Sequence, residues 1–422
     1  MWIIMNILVV TKAAWDDRIA SGNTLSNFFE NWKNVKFYCI YARGAMPQNR
    51  VCKEYYSISP ISIIRNVFIP KKIGRRFSIS SSRRGPNTSN EEWLIDKAKQ
   101  HNVLFEWIYN FAYSSRLWIN QAFKEFIHDS NPDIVFCFGQ SDPLTYYTLK
   151  YVKENTSAHI VSYYVDDLYR CKTLAFDFLQ RQKNSRLMAI AQMSDKCYAI
   201  SQRMCDEYKE LYGKRFYLLH KGCDVGQPKT TVNSPIRFVY AGNLFYHRDR
   251  ILASLADVIA KINVDKKKVY LDIYSGTSVN QETFDSLNID GASTLHKARQ
   301  FDEIKQIMKD ADVVLHVESF DEEQMKLVRL SFSTKITDCM QSGSMMMAIG
   351  PDSVASIAYA REVPGCVIVN NLSDMYDIVQ ELVDSPSTII ENAIKTNEYS
   401  KKNIEIAQCR NRLKSEFEFL IN

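Results

Sequence analysis

Three adjoining runs decide the fold: Ala311-Asp-Val-Val-Leu-His-Val-Glu318, Ser331-Phe-Ser-Thr-Lys-Ile-Thr-Asp-Cys-Met-Gln-Ser-Gly343 and Met345-Met-Met-Ala-Ile-Gly-Pro351. The first reads as a buried strand ending in a loop. The second is a helix opening at Ser333-Thr334 and stopped by Gly343, and the third a strand ending at Gly350-Pro351. Ser333 can cap the helix, so its first free N–H groups face whatever lies in front of the loop. Lys335 falls in the first turn, where the helix dipole disfavours a cation unless an anion is near. Asp338 follows on the same helix face. A helix N-terminus with a lysine suits a diphosphate, and a carboxylate one turn deeper suits the vicinal hydroxyls of a sugar. Standing alone, the two residues are equally a solvated pair on an ordinary helix.

The pattern resembles the donor-binding helix of two-domain glycosyltransferases that build bacterial surface polysaccharides, of the group 1 or family 4-like type. Their run is Ser/Pro-x-Lys-x-x-Glu-Tyr-x-x-x-Gly-x-Pro. Ser333, Lys335, Asp338 and Gly343 match it, with Asp for Glu, Cys339 for the aromatic residue and Met346 for the proline. One departure matters: the common version carries a second glutamate eight residues earlier, where this chain has Leu330. Glu318 and the acidic run Asp321-Glu-Glu323 precede it as substitutes.

The resemblance implies an α/β protein of two Rossmann-like domains facing a cleft (GT-B), with the C-terminal helix crossing back to the first domain. Bulk composition agrees. At 422 residues the chain is too long for one ordinary core, and 46% hydrophobic with 24% charged residues is ordinary for a globular protein. A polar linker, Gly226 to Ser234, separates two strand–helix series. Residues 1–228 are expected to form the acceptor domain, joined by about 400–422, and 229–399 the nucleotide-sugar domain. Ten cysteines without a Cys-x-x-Cys pair read as free thiols in a reducing compartment. No stretch approaches the roughly 18 apolar residues of a membrane span, and the apolar N-terminus lacks a basic region and cleavage site. A cytoplasmic protein, peripheral at the inner face of the plasma membrane, is expected.

Working along the chain, Asn6 to Val10, a loop to Gly22 and a helix from Asn23 open a Rossmann-like unit without Gly-x-Gly-x-x-Gly. The resemblance places Gly22 against the transferred sugar or acceptor. Aromatic text from Trp93 to Phe126 reads mostly as core. Ala158 to Val165 is a strand running into Asp166-Asp167, either a helix cap or the acidic pair that the resemblance places beside the acceptor as catalytic groups. Asp195 with Ser201, then Gly222 with Asp224, resemble the pair of motifs closing the acceptor domain. In the second series the resemblance assigns Gly242, Asn243 and a diphosphate cation, Arg248 or Arg250, after the first strand, and His296 in a short loop against the base. Glu318 is the third catalytic candidate. Donor-binding residues are thus Gly22, Gly242, Asn243, Arg248, His296, Ser333, Thr334, Lys335 and Asp338.

The donor is expected to be a nucleotide-diphosphate sugar, with no cofactor and no metal: side chains and helix dipole meet the leaving diphosphate. No acidic residue lies between Glu54 and Glu91, while Arg65, Lys71, Lys72, Arg75, Arg76, Arg83 and Arg84 are interleaved with isoleucines and phenylalanines. No nucleic-acid motif accompanies them. An anionic membrane or phosphorylated acceptor suits Lys71, Lys72, Arg75 and Arg76, the alternative being a basic loop without a partner. The reading is thus a glycosyltransferase adding to a glycan or polyprenyl-diphosphate-linked acceptor in capsule or O-antigen assembly. The competing readings are a non-catalytic nucleotide-sugar-binding protein or a nucleotide-sugar epimerase of the same fold.

Overall fold

The computed structural model describes residues 4–43, 46–79, 103–169 and 177–422, without the side chains of residues 103–106, 177 and 334. It divides into two compact units: Met1–Ile200, Cys205–Leu219 and Arg410–Asn422 form one, Ser201–Met204 and His220–Cys409 the other.

The first unit is built on β1 (Met5–Ala13), β2 (Val35–Arg43), β3 (Glu54–Ser57), β4 (Arg75–Ser78), β5 (Ile134–Phe138), β6 (His159–Tyr164), β7 (Lys196–Ala199) and β8 (Phe216–Leu218). Their order across the sheet is β4-β3-β2-β1-β5-β6-β7-β8. Only the β3–β4 edge is antiparallel among the described pairings. β5 is buried along its whole length and reads as a continuous apolar run, because a parallel sheet is covered on both faces. One face packs Trp118, Phe123 and Leu149. The other packs Trp15, Phe28 and Phe29 with Phe417.

Phe417 belongs to the last helix, Ile406–Ile421, which starts in the second unit and ends in the first. Its ring meets Phe29 at 6.2 Å and Trp32 at 5.6 Å. Arg410 pairs with Glu30 at 3.0 Å, and Glu416 accepts from Lys196 at 2.6 Å. The C-terminal helix therefore crosses back, as expected.

The second unit holds β9 (Ile236–Ala241), β10 (Val269–Ser275), β11 (Ser293–Lys297), β12 (Val313–Val317), β13 (Met345–Ile349) and β14 (Val367–Val369). The order is β11-β10-β9-β12-β13-β14, all parallel. This is the doubly wound order, with its reversal between β9 and β12.

An aspartate stands one residue before each of three strands and takes an N–H from the neighbouring strand. Asp133, before β5, accepts from Asn6 of β1 at 2.7 Å. Asp195, before β7, accepts from Ile160 of β6 at 2.7 Å. Asp312, before β12, accepts from Arg237 of β9 at 2.7 Å. Each closes a free backbone donor at the N-terminal edge of a sheet. Asp312 does more. It is fully buried and also holds Asn233 N–H, Asn233 Nδ2 and Lys229 Nζ, each at 3.0 Å. The polar linker is thereby pinned to the second unit.

Several local expectations differ from the structure. Gly22 lies inside the helix Ala20–Phe29, where a Cβ would sit 2.1 Å from the Asp16 carbonyl oxygen. The close approach that requires glycine there is to the chain's own backbone. Residues 293–297 form β11, paired to β10, so His296 stands on a strand rather than in a short loop. Asp321 is the N-cap of a helix, Glu322–Val328, accepting from Glu323 and Gln324 N–H. The terminal helical text breaks at Ile404, whose carbonyl accepts the Cys223 N–H at 2.8 Å. Of the aromatic text, Tyr109 and Tyr113 are core, while Phe111 is 80% exposed. Trp93, Arg83 and Arg84 lie outside the described residues.

Asp312→Ala leaves two backbone N–H groups, of Asn233 and Arg237, without their carboxylate, and leaves Lys229 Nζ and Asn233 Nδ2 with only the Asp310 carbonyl. It should cost about 3–5 kcal/mol of stability in urea unfolding, and Asp133→Ala, which strands one backbone N–H, about 1–3 kcal/mol. Equal losses for both would disprove the special burden placed on Asp312.

Candidate functional site

In an open α/β sheet the strand order reverses at one point, and the crevice outside the carboxyl ends there takes the ligand. In the second unit that point lies between β9 and β12. β9 delivers Gly242 and Asn243, and β12 delivers Glu318. The helix Thr334–Ser342 begins beside them, with Ser333 as its N-cap and Gly343 closing it at φ 81°.

Arg248 and Glu318 dominate the arrangement, at 5% and 2% exposure. Arg248 Nη2 donates to both carboxylate oxygens, at 3.0 and 2.8 Å. Nε donates to the Val317 carbonyl at 3.0 Å, and Nη1 to Asn243 Oδ1 at 2.8 Å. A bidentate fork of this kind is what makes burial of two charges tolerable. Burial raises the Glu318 pKa above the ordinary carboxylate value, and Arg248 opposes that rise.

His316 precedes Glu318 by two residues and therefore shares its face of β12. It is fully buried, with Nε2 3.0 Å from Ser356 Oγ and Nδ1 without a partner. Burial, then the charges of Lys335 and Arg248, drive its pKa well below the normal value, so the ring is neutral. Around the enclosed pair stand two cations, Arg248 and Lys335, and one anion, Glu318, with Asp338 one turn further along the helix.

Lys335 is the cation outside that pair. Its ammonium donates to Tyr240 Oη at 3.0 Å and lies 5.1 Å from that ring's centroid. Tyr240 in turn donates to the Asn243 carbonyl at 2.6 Å. The lysine side chain runs across Gly242, where a Cβ would come within 2.3 Å of Cε and Nζ. Burial, then repulsion from Arg248, bring its pKa down from 10.5 to about 8.

One turn along, Asp338 lines a cavity of about 240 Å³ together with Asp224, Asp302, Lys305, Lys309 and Gln341. Burial raises the Asp338 pKa, opposed by the charges of Lys221, Lys335 and Lys305.

The structure thus gathers Gly242, Asn243, Arg248, Glu318, Ser333, Lys335 and Asp338 into one unit. The roles of two differ from expectation. Arg248, expected to face a diphosphate, is committed to Glu318 and Asn243. Glu318, expected at the reacting centre, has both oxygens on Arg248 and positions that residue. His296 sits on the outer strand β11, with Nε2 2.8 Å from Asp272 and its ring stacked on Tyr274 at 4.5 Å. The Thr334 side chain lies outside the described residues.

In the first unit, Asp166 and Asp167 follow β6. Asp166 is exposed, and Asp167 Oδ1 accepts from Tyr208 at 3.3 Å. No helix starts at Leu168 among the described residues, so the helix-cap alternative for Asp167 is not seen there. Lys71, Lys72, Arg75 and Arg76 are exposed on and beside β4. Arg76 pairs with Asp129 at 2.5 Å, an acid brought in from outside the basic run. Sequence reasoning missed His316, Tyr240 and Lys221. For His316 the signal was visible: a titratable residue inside a buried strand, two places from a second one.

No protein-family profile matches the chain, and a search of curated proteins finds no match. Solved structures do match. A sucrose-phosphate synthase from Thermosynechococcus elongatus aligns over 99% of this chain and 99% of its own, with TM-score 0.61 and 9% identity. Anabaena Alr3699/HepE in complex with UDP and glucose aligns over 98% of this chain and 99% of its own, at 0.58 and 10%. A structure named trehalose-6-phosphate from E. coli, bound with UDP-2-fluoro glucose, aligns over 97% and 98%, at 0.58 and 12%. Likeness at such identities shows the fold: the chain has the GT-B fold of two Rossmann-like domains.

Between its folded value of about 8 and 10.5, Lys335 has lost a proton that the unfolded chain keeps. Its own contribution to stability therefore rises with pH across that window. Lys335→Met should be more stable than the parent at pH 7.5 and lose most of that lead by pH 10, in chemical denaturation series. A lead constant with pH would contradict the depressed lysine.

Proposed function

We propose that this chain is a glycosyltransferase. It moves a sugar from a nucleotide-diphosphate sugar to a glycan or polyprenyl-diphosphate-linked acceptor, in the assembly of bacterial cell-surface polysaccharide. The observation that carries this reading is Lys335 at the switch point of the second unit, buried and in no ion pair with a described carboxylate. It sits in the first turn of a capped helix, beside an ion pair that cannot neutralise it. An anion is what the arrangement lacks, and a diphosphate supplies it.

Asp338, one turn further and lining the cavity, offers its carboxylate to sugar hydroxyls. Lys335 and the helix N–H groups together stabilise a leaving diphosphate, which makes the transfer metal-independent in this reading. The similar HepE structure holds UDP and glucose, which supports a uridine nucleotide as the first donor to try. Asp166 and Asp167, at the carboxyl end of a first-unit strand, are proposed for the acceptor side. No helix among the described residues is long and apolar enough to cross a membrane. In this reading a lipid-linked acceptor is met at the cytoplasmic surface.

One observation favours the non-catalytic alternative, a nucleotide-sugar-binding protein. Leu330, standing where related patterns carry a glutamate, is 1% exposed, and Glu318 is locked on Arg248. Turnover separates the two: an enzyme releases nucleoside diphosphate in the presence of acceptor, and a binder does not.

Lys335→Ala should weaken binding of UDP and UDP-sugars about ten- to a hundredfold by calorimetry, the worth of one charge-assisted hydrogen bond. Asp338→Asn should weaken UDP-sugars with the fold unchanged. Binding of every donor as tightly as the parent, in both variants, would sink the donor assignment.

A further inference from the structure

The first unit carries an apolar projection that its core does not use. The short helix Pro60–Arg65 turns Ile63 inward, at 2% exposure, and leaves Ile64 52% exposed. The chain beyond it holds Val67, Phe68 and Ile69 outward at 43%, 95% and 42%. Phe68 is therefore almost wholly in solvent. It is followed at once by the turn Pro70–Lys72, whose two lysines are exposed, and then by Arg75.

A second element repeats the pattern. The helix Val103–Ser114 packs against Pro60–Arg65. It buries Tyr109, Ala112 and Tyr113 in the same core as Ile63. On its outer side it leaves Ile108 40% and Phe111 80% exposed. Those two positions are three apart and so lie on one helix face.

Isolated apolar residues on a surface need no explanation, but several large ones projecting together do. Their charge setting selects the partner. Arg65, Lys71, Lys72 and Arg75 form no ion pair with a described residue, although Arg75 lies over the Phe77 ring. Arg76 is different: its guanidinium is met by Asp129 and lies over Phe126, so it belongs to the fold. Apolar side chains at an apex with cations at its foot match a surface with anionic headgroups above hydrocarbon. A protein partner would be expected to present a groove to Phe68, and a free phosphorylated sugar would give the phenylalanine nothing to enter.

We propose that residues 64–75, with Ile108 and Phe111, form a docking surface for an anionic lipid bilayer. Phe68 enters the acyl boundary, and Arg65, Lys71, Lys72 and Arg75 contact lipid phosphates. The inference deepens the proposed function by naming where a lipid-linked acceptor is met, and takes its purpose from that reading. Its physical claim concerns only the first unit.

The test is cosedimentation of the full chain with vesicles of phosphatidylglycerol and phosphatidylcholine, against phosphatidylcholine alone, at low and high salt. The parent should bind the anionic vesicles, weaken with salt and ignore the neutral ones. Lys71→Ser/Lys72→Ser should weaken binding at least tenfold. Phe68→Ser and Phe111→Ser should each reduce it, and Arg76→Ser should change it far less than the lysine pair. UDP binding and the thermal midpoint, measured on the same samples, should not move, since these side chains are exposed. Loss of UDP binding by Lys335→Ala with vesicle binding intact would support this surface whatever becomes of the donor assignment. Absence of vesicle binding, equal binding to both lipid types, or a parent dimer that Phe68→Ser converts to monomer would overturn the proposal.

Discussion

The site depends on keeping two opposite charges out of water. Arg248 and Glu318 are both almost fully enclosed. Neither is tolerable there without the other, because an unpaired buried ion costs several kcal/mol. Meeting that constraint fixes a good deal of chain. The guanidinium ties the end of β12 through the Val317 carbonyl, and the loop after β9 through Asn243. The Asn243 carbonyl then takes the Tyr240 hydroxyl, and Tyr240 takes the Lys335 ammonium. One ion pair thus sets the shape of the switch point and the place of the lysine. A neutral His316 adds volume and a hydrogen bond to Ser356 but no charge.

Both sheets reach this state by the same local means. Parallel strands leave N–H groups unpaired where a new strand enters, and a single aspartate before the strand closes them. Asp133, Asp195 and Asp312 do so in Pro-Asp-Ile, Ser-Asp-Lys and Ala-Asp-Val. The motif is short and its residues ordinary, yet it sets the N-terminal edge from which each strand runs toward the ligand end. In the second unit it also collects the linker, through Asn233 and Lys229.

Two Rossmann-like series and the capped helix at Ser333 were legible, because apolar runs and cap residues act within a few positions of sequence. Lys335 and Asp338 were legible as a pair for the same reason. What escaped was long-range. Nothing near Arg248 in sequence announces Glu318, 70 positions away, so a free phosphate-binding arginine was the natural reading. Arg76 looked unopposed because Asp129 is 53 residues distant. Gly22 reads as loop because the first helix starts at Ala20 with no side-chain cap to mark it. Aromatic residues of 103–114 read as core since composition cannot tell the two faces of an apolar helix apart, and Phe111 lies on the outer one.

Gly242 shows how one residue type can answer a different need from the expected one. Glycines after the first strand of a Rossmann unit ordinarily let backbone approach a pyrophosphate. Here a Cβ would run into the Lys335 side chain, 2.3 Å from its nitrogen. The glycine makes room for a cation that reaches over the strand end from the helix. Glycine and lysine then act as one unit: alanine at 242 would push the ammonium off Tyr240, while loss of the lysine would leave an empty groove above the glycine. In this chain, which has no Gly-x-Gly-x-x-Gly loop, a charge is carried to the switch point by the helix Thr334–Ser342, just before β13. Burial first, and then the same Arg248 that shapes the loop, hold that charge near its titration point.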